Sequence, residues 1–332
     1  MTMTLPQGAP FARMLGYGGY RPSRIITNAE ICEKIDSSDE WIRERSGIAT
    51  RHAAAADESV TDMAVAAGGK ALASSGITAD QIGCVIVATV THLMQTPSAA
   101  TVTAFRLGAV NAAAFDLSAA CAGFAHGVAL ANDMIRGGSS SYVLVVGVEK
   151  LTDMVDPYDR GSAFIFGDGA GAVVIGPSDT PGIGPVVWGA DGGQADAITQ
   201  NAPWQVLRDE PGHAFPTLAM NGQQVFRWAV FSMTPVCQLA LDKAGVTVDQ
   251  LDAFIPHQAN LRIVEAMVKK LGVPAHVAVA RDIVDTGNTS AASIPLAMQR
   301  MLDDGDAPHG GLALMIGFGA GLSYAAQVVV LP

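Results

Sequence analysis

Cys121 stands where a strand pattern gives way to a helix pattern. The stretch AAAFDLSAACAGFAHGVALANDMIRGG (Ala112 to Gly138) opens as a strand-like AAFDLS, passes through small residues, and then repeats Phe124, Val128, Ala131 and Ile135 at helical spacing. A sulfur at such a junction lies beside unpaired backbone N–H groups and the positive end of a helix dipole, which favour a thiolate and can bind a developing oxyanion. Ala119, Ala120, Ala122 and Gly123 would let a carbonyl approach the backbone, although the same pattern fits a cysteine packed like an alanine at a helix start. In FIPHQANLRIVEAMVKKLG, His257 follows a strand and precedes an amphipathic helix whose apolar face is Val264, Met267, Val268 and Leu271. Its imidazole could move a proton or donate a hydrogen bond, or simply cap the strand end. Asn288 sits in the Gly-turn of DTGNTSAASIPLAMQRML, as a carboxamide donor or an ordinary turn asparagine. MIGFGAGLSY (Met315 to Tyr324) runs from a strand into a Gly-rich turn, suited to offering a backbone N–H or required only by sheet packing. A thiol, an imidazole, a carboxamide and free N–H groups make up the chemistry of nucleophilic acyl capture.

The elements that must bring these residues together repeat. ALASSGITADQIGCVIVATV (Ala71 to Val90) parallels ALDKAGVTVDQLDAFIPHQA (Ala240 to Ala259), with the helix-ending glycines Gly76 and Gly245 offset by 169. FRLGAV around Gly108 matches KKLGVP around Gly272 at an offset of 164, and VLVVGV (Val143 to Val148) matches ALMIGF (Ala313 to Phe318) at 170. Asn288, 167 beyond Cys121, falls close to the duplicated position of the cysteine. Each half alternates helix and strand, and continuous runs such as CVIVATV predict strands buried on both faces. An N-terminal half over 1–180 and a C-terminal half over 181–332 meet in the Gly/Pro-rich GPSDTPGIGP, and 189–222 reads as an irregular insertion of the kind that forms lids or binding loops.

Composition narrows the class. With 332 residues, 49% hydrophobic and 15% charged, the chain is neither disordered nor fibrous. A net charge of −11 disfavours nucleic acid and anionic membranes as partners. Cys32, Cys84, Cys121 and Cys237 form no CxxC pair, so neither a zinc site nor a disulfide framework is expected, consistent with a reducing cytoplasm. The opening MTMTLPQGAPFARMLGYGGY carries no charged leader with an apolar stretch, and no run reaches the ~18 apolar residues of a membrane span.

Six strings in order, SSDEWIRERSGI, DLSAACAGF, DRGSAFIFGDGAGA, FIPHQAN, DTGNTSAASIPLA and GFGAGLSY, resemble the β-ketoacyl-acyl-carrier-protein synthase III family of initiating condensing enzymes, from about Leu15 to the C-terminus. The resemblance implies an α/β, thiolase-like fold, its duplicated halves in a five-layered αβαβα arrangement, and a homodimer. It implies Cys121 as nucleophile, His257 and Asn288 as its partners, and the N–H groups of Cys121 and Ala320 as oxyanion donors. Acyl-CoA and malonyl-acyl carrier protein would be substrates, with no metal or cofactor. Trp41 and Arg45 match positions that stack on the CoA adenine and face its phosphates, Arg160 lies on the other side of the adenine, Phe226 lines the pantetheine tunnel, and Arg262 belongs to the carrier-protein dock. Acetyl-CoA-preferring members commonly have Phe before the proline that follows Thr96 here. The smaller side chain implies a larger primer pocket for branched or longer acyl groups; HLMQTP and IGFGAGLSY resemble actinobacterial members, some of which start fatty acids and some polyketides.

Two other readings share much of this pattern. A thiolase-fold acyltransferase would pass the acyl group from Cys121 to an alcohol or amine. A scaffold subunit would need none of Cys121, His257 and Asn288. Papain-like hydrolysis lacks its local signature around the cysteine.

Overall fold

The structure, a computed structural model, describes Met3 and residues 7–332; Met1, Thr2 and Thr4–Pro6, part of the segment read for a leader, lie outside the described residues. Two five-stranded sheets form its frame. The first runs in the order Phe11–Tyr20, Asp168–Ser178, Val143–Lys150, Cys84–Ala88, Ala113–Leu117, and the second in the order Val187–Ala190, Ser323–Val330, Leu312–Gly319, Ala253–Pro256, Ala278–Val279. Read in this direction, both sheets have two antiparallel pairings followed by two parallel ones. The duplication is therefore one of topology as well as of sequence.

The apolar strand runs are explained by what covers them. Along Val143–Lys150, Val143 and Val145 face a core shared with Phe124, Val128, Ile135, Ile294, Met298 and Met301, while Leu144, Val146 and Val148 face Met63, Ala67 and Ala104. Every residue of that strand is buried, because helices lie on both sides of the sheet. The helices Gly123–Arg136 and Ser293–Asp303 form the middle layer between the sheets. Val60–Ser75 and Ala99–Leu107 cover the first sheet outside, and Gly222–Ala244 and Leu261–Leu271 cover the second. This is the expected five-layered αβαβα order.

Residues 191–221 are more regular than the expected irregular insertion. They hold an antiparallel pair, Ile198–Gln200 with Leu218–Met220, and a one-turn helix, Val206–Asp209. The first half makes a matching excursion after its own first strand, with Arg24–Thr27 paired to Thr50–Ala53. Sequence drift between the two excursions hides that equivalence.

Candidate active site

Both middle helices begin the same way. A short 3-10 turn, Ala120–Ala122 or Ser290–Ala292, enters Gly123–Arg136 or Ser293–Asp303. Ala120 (φ +45°) and Ser290 (φ +47°) are the non-glycine residues with left-handed backbone among the described residues, and they are 170 apart. Such a conformation is costly for an L-residue and persists only where surroundings hold it. This pair fixes the register of the repeat. Cys121 corresponds to Ala291, and Asn288 to Ser118, three residues before the position expected for it. Local insertions shift the loop offsets while the turn that must fit between two sheets stays in register.

Cys121 is half-buried at the floor of a chamber of about 530 Å³, whose lining also includes His257, Asn288, Phe318 and Gly319. Trp41, Arg45, Phe226 and Arg262 line the same chamber. The two halves thus contribute to one cavity: the cysteine from the first, the imidazole and carboxamide from the second.

Gly319 matters for what it lacks. A Cβ there would lie 2.9 Å from the Cys121 Sγ, 2.7 Å from its Cβ and 3.2 Å from its N, in a strand flanked on both sides. Gly319→Ala is expected to slow acylation of the cysteine by about 10²-fold, the cost of roughly an ångström of misplacement at a reacting atom. Rapid-quench mass spectrometry of the acyl adduct measures it; an unchanged rate would show that the contact is not limiting.

The electrostatics of the resting site differ from the thiolate expected of a helix start. Burial pushes the Cys121 thiol up to about 12, and the Glu149 charge adds to this, while the Ser290 hydroxyl and the N–H groups of Cys121 and Ala320 pull it down. Desolvation outweighs those donors, so the sulfur rests protonated and must lose its proton during reaction. His257 is buried and pushed down to about 3 by burial, so its imidazole is neutral. Its Nδ1 lies 2.7 Å from the Ser293 Oγ, and its ring meets Phe318 edge to face at 5.2 Å. The Asn288 Oδ1 accepts from the Ser290 N–H (2.8 Å), which leaves its Nδ2 as the free donor.

At the mouth, the Arg160 guanidinium sits 4.9 Å over the Trp41 ring and that of Arg45 5.8 Å from it, while Arg262 lies 5.6 Å over Phe226. Trp41 follows the N-cap Ser38 in the helix Asp39–Ser46 and packs edge to face on Phe164. Thr96 does not line this chamber; it is exposed, in the loop before the helix Ala99–Leu107. Ser290, Ser293 and Gly319 escaped the sequence reading. Glu149 did too, although a lone acid ending the apolar run VLVVGV was a signal for it.

Two stacked α/β halves with a cysteine and a histidine–asparagine pair over one chamber define a condensing enzyme of the thiolase fold. Residues 115–192 match the family model described as 3-oxoacyl-[acyl-carrier-protein (ACP)] synthase III, and residues 241–331 match the model of its C-terminal part. The chain is 59% identical to β-ketoacyl-[acyl-carrier-protein] synthase III 1 of Streptomyces coelicolor and 60% identical to the synthase III of Streptomyces glaucescens, over 98% of each chain. A crystal structure of the priming β-ketosynthase from the R1128 polyketide pathway superposes with a TM-score of 0.98 at 50% identity, covering 100% of this chain and 99% of that one. The chain belongs to the β-ketoacyl-acyl-carrier-protein synthase III family.

Proposed function

We propose that this chamber initiates chain synthesis by a decarboxylating Claisen condensation of an acyl-CoA primer with malonyl-acyl carrier protein, giving 3-oxoacyl-acyl carrier protein. The single observation that carries the reading is the convergence of Cys121, His257 and Asn288 on one cavity. Cys121 attacks the primer thioester, its proton leaves with the CoA thiol, and the N–H groups of Cys121 and Ala320 hold the tetrahedral oxyanion. Both N–H groups already act on the sulfur at rest. Malonyl carrier protein then loses CO₂ in the emptied tunnel. The Asn288 Nδ2 and the His257 Nε2, which carries the hydrogen when Ser293 donates to Nδ1, stabilise the enolate oxygen, and the carbanion attacks the acyl group on sulfur. Both thioesters are substrates, and no step calls on a resident metal or cofactor.

In the same reading the adenine of CoA enters between Trp41 and Arg160, Arg45 meets its phosphates, Phe226 lines the pantetheine path, and Arg262 meets an acidic carrier protein. A local basic rim on a chain of net charge −11 favours such a partner by complementarity. Among the described residues no helix is long and apolar enough to cross a membrane. The same reading divides the chain into two halves at residue 180, and the passage from Asp168–Ser178 in the first sheet to Val187–Ala190 in the second supports it.

A homodimer accounts for the exposed edge of the first sheet. The edge strand Ala113–Leu117 leaves Phe115 39% exposed, and Met94 (60%) and Phe105 (73%) lie on elements near its end. An unprotected apolar edge favours pairing with another copy. The loop carrying Thr96 would then reach the partner's primer pocket. Thr96→Phe is expected to raise selectivity for acetyl-CoA over a branched four-carbon primer by roughly tenfold, the scale of a changed hydrophobic pocket. Competition between the two primers, read by mass, checks it; unchanged selectivity would remove Thr96 from the pocket.

The deciding experiment incubates the chain with mixed acyl-CoAs, reads the Cys121 adduct by intact mass, and then adds malonyl carrier protein. Adduct formation followed by CO₂ release supports condensation. Acyl transfer to an alcohol or amine without CO₂ release supports the acyltransferase, and no adduct supports a scaffold.

A further inference from the structure

Glu149 is a carboxylate with no role in the reaction described above, yet it is fully buried beside the chamber floor. It is the penultimate residue of the strand Val143–Lys150, at the position that the 170-residue repeat equates with Gly319 of the second sheet. In the second sheet that position is bare, and the Cys121 sulfur fills the space beside it. In the first sheet a carboxylate fills it and reaches Ser290, the repeat equivalent of Ala120. The fold itself accepts glycine at this place, so an ionisable group in a dry core needs another reason.

Its hydrogen bonds supply one. The Glu149 Oε2 accepts from the Thr91 Oγ1 (2.7 Å), the Thr89 Oγ1 (3.1 Å) and the Val90 N–H (3.1 Å), and its Oε1 accepts from the Ser290 Oγ (3.0 Å). The Lys150 N–H donates to the Thr91 Oγ1, which turns the Thr91 proton toward the carboxylate. These donors fix Glu149, and Glu149 in turn fixes Ser290 in its left-handed conformation. The Ser290 N–H then holds the Asn288 Oδ1 at 2.8 Å and so decides which end of the carboxamide faces the chamber.

We propose that Glu149 is a positioning residue which, through Ser290, orients the Asn288 carboxamide as the enolate donor of the second half-reaction. The inference rests on the condensation reading of the site. It separates the two half-reactions: capture of the primer by Cys121 does not need Asn288, whereas loss of CO₂ from the malonyl thioester does. Burial raises the Glu149 carboxyl to about 7, against the pull of its donors, in keeping with a site held by its neighbours at a cost. Its negative charge raises the Cys121 thiol, so its removal leaves the sulfur no harder to ionise.

The test is Glu149→Gln. With the Gln carbonyl on the Val90 N–H and the Thr91 hydroxyl, its NH₂ meets the Ser290 Oγ and reverses that hydrogen bond. The expected result is primer acylation within about threefold of the unsubstituted enzyme, iodoacetamide alkylation of Cys121 equal or faster, and CO₂ release from malonyl carrier protein slower by roughly 30-fold or more, the scale of a misaligned donor. Ser290→Ala keeps the N–H but severs the link; because it also removes a hydroxyl that favours the Cys121 thiolate, it should slow primer acylation too. Its readout is therefore CO₂ release from malonyl carrier protein without a primer, which should fall by the same factor as in Glu149→Gln, with the double variant little worse in that step than either single one. Equal losses in both half-reactions of Glu149→Gln, additive losses of CO₂ release in the double variant, or no loss in CO₂ release would overturn the assignment; if Glu149→Gln does not fold, primer-free CO₂ release by Ser290→Ala decides alone. An unsubstituted enzyme that forms no adduct or releases no CO₂ defeats the condensation reading instead, independently of either variant.

Discussion

Cys121→Ala forms no acyl adduct with any primer and lowers condensation by at least ~10⁴-fold, the scale of losing a nucleophile from a concerted catalytic set. The substitution is structurally mild. The residue is half-buried, its neighbours Ala120 and Ala122 are already alanines, and its repeat equivalent is Ala291. The chain should therefore fold and keep its chamber. His257 and Asn288 would remain in place, so slow release of CO₂ from malonyl carrier protein should persist without a primer. The paired measurement is intact mass after exposure to acyl-CoA and CO₂ release with malonyl carrier protein alone. An acyl adduct on another residue, or condensation within tenfold of the unsubstituted enzyme, would remove Cys121 from its role.

His257→Ala is expected to slow CO₂ release by roughly 10³-fold, the upper range for removing one buried donor aimed at developing negative charge. The donor is strong here for two reasons. It is held from behind by Ser293 and from the side by Phe318, and it works where the chamber wall excludes water. Primer capture should slow as well, by a smaller factor, because in the other tautomer, with the Nδ1–H donating to Ser293, the bare Nε2 can relay the proton of a thiol held near 12 to the departing CoA sulfur. Loss in both half-reactions distinguishes His257 from Asn288, whose substitution should spare the first. With the imidazole held near 3, its protonation leaves no acid limb in the rate between about pH 5 and 7. The sign for stability follows from the same shift. The unfolded chain binds this proton more readily than the folded one, so the contribution of His257 is complete above 6.5 and is lost as the pH falls toward 3. Single-turnover acylation and CO₂ release across that range, together with unfolding at each pH, check both statements.

The amino-acid sequence by itself determined the alternation of helix and strand, the duplication, and the short runs that carry Cys121, His257 and Asn288. Those are local matters: periodicity follows from which faces are buried, and a strand ending in small residues before an amphipathic run is readable wherever it occurs. What surrounds those residues was not local. The bare position at Gly319 and the carboxylate at Glu149 take their meaning from a 3-10 turn belonging to the other half of the chain, about two hundred residues away for Gly319 and Cys121. The register set by Ala120 and Ser290 is that of the strand match at 170, but loops that changed length placed Asn288 opposite Cys121 at 167 instead of opposite Ser118. The state of the sulfur was decided in the same way. A helix start argues for a thiolate, but the desolvation that opposes it is the summed effect of two sheets and a middle layer closing around one atom, and no single stretch of sequence contains that sum.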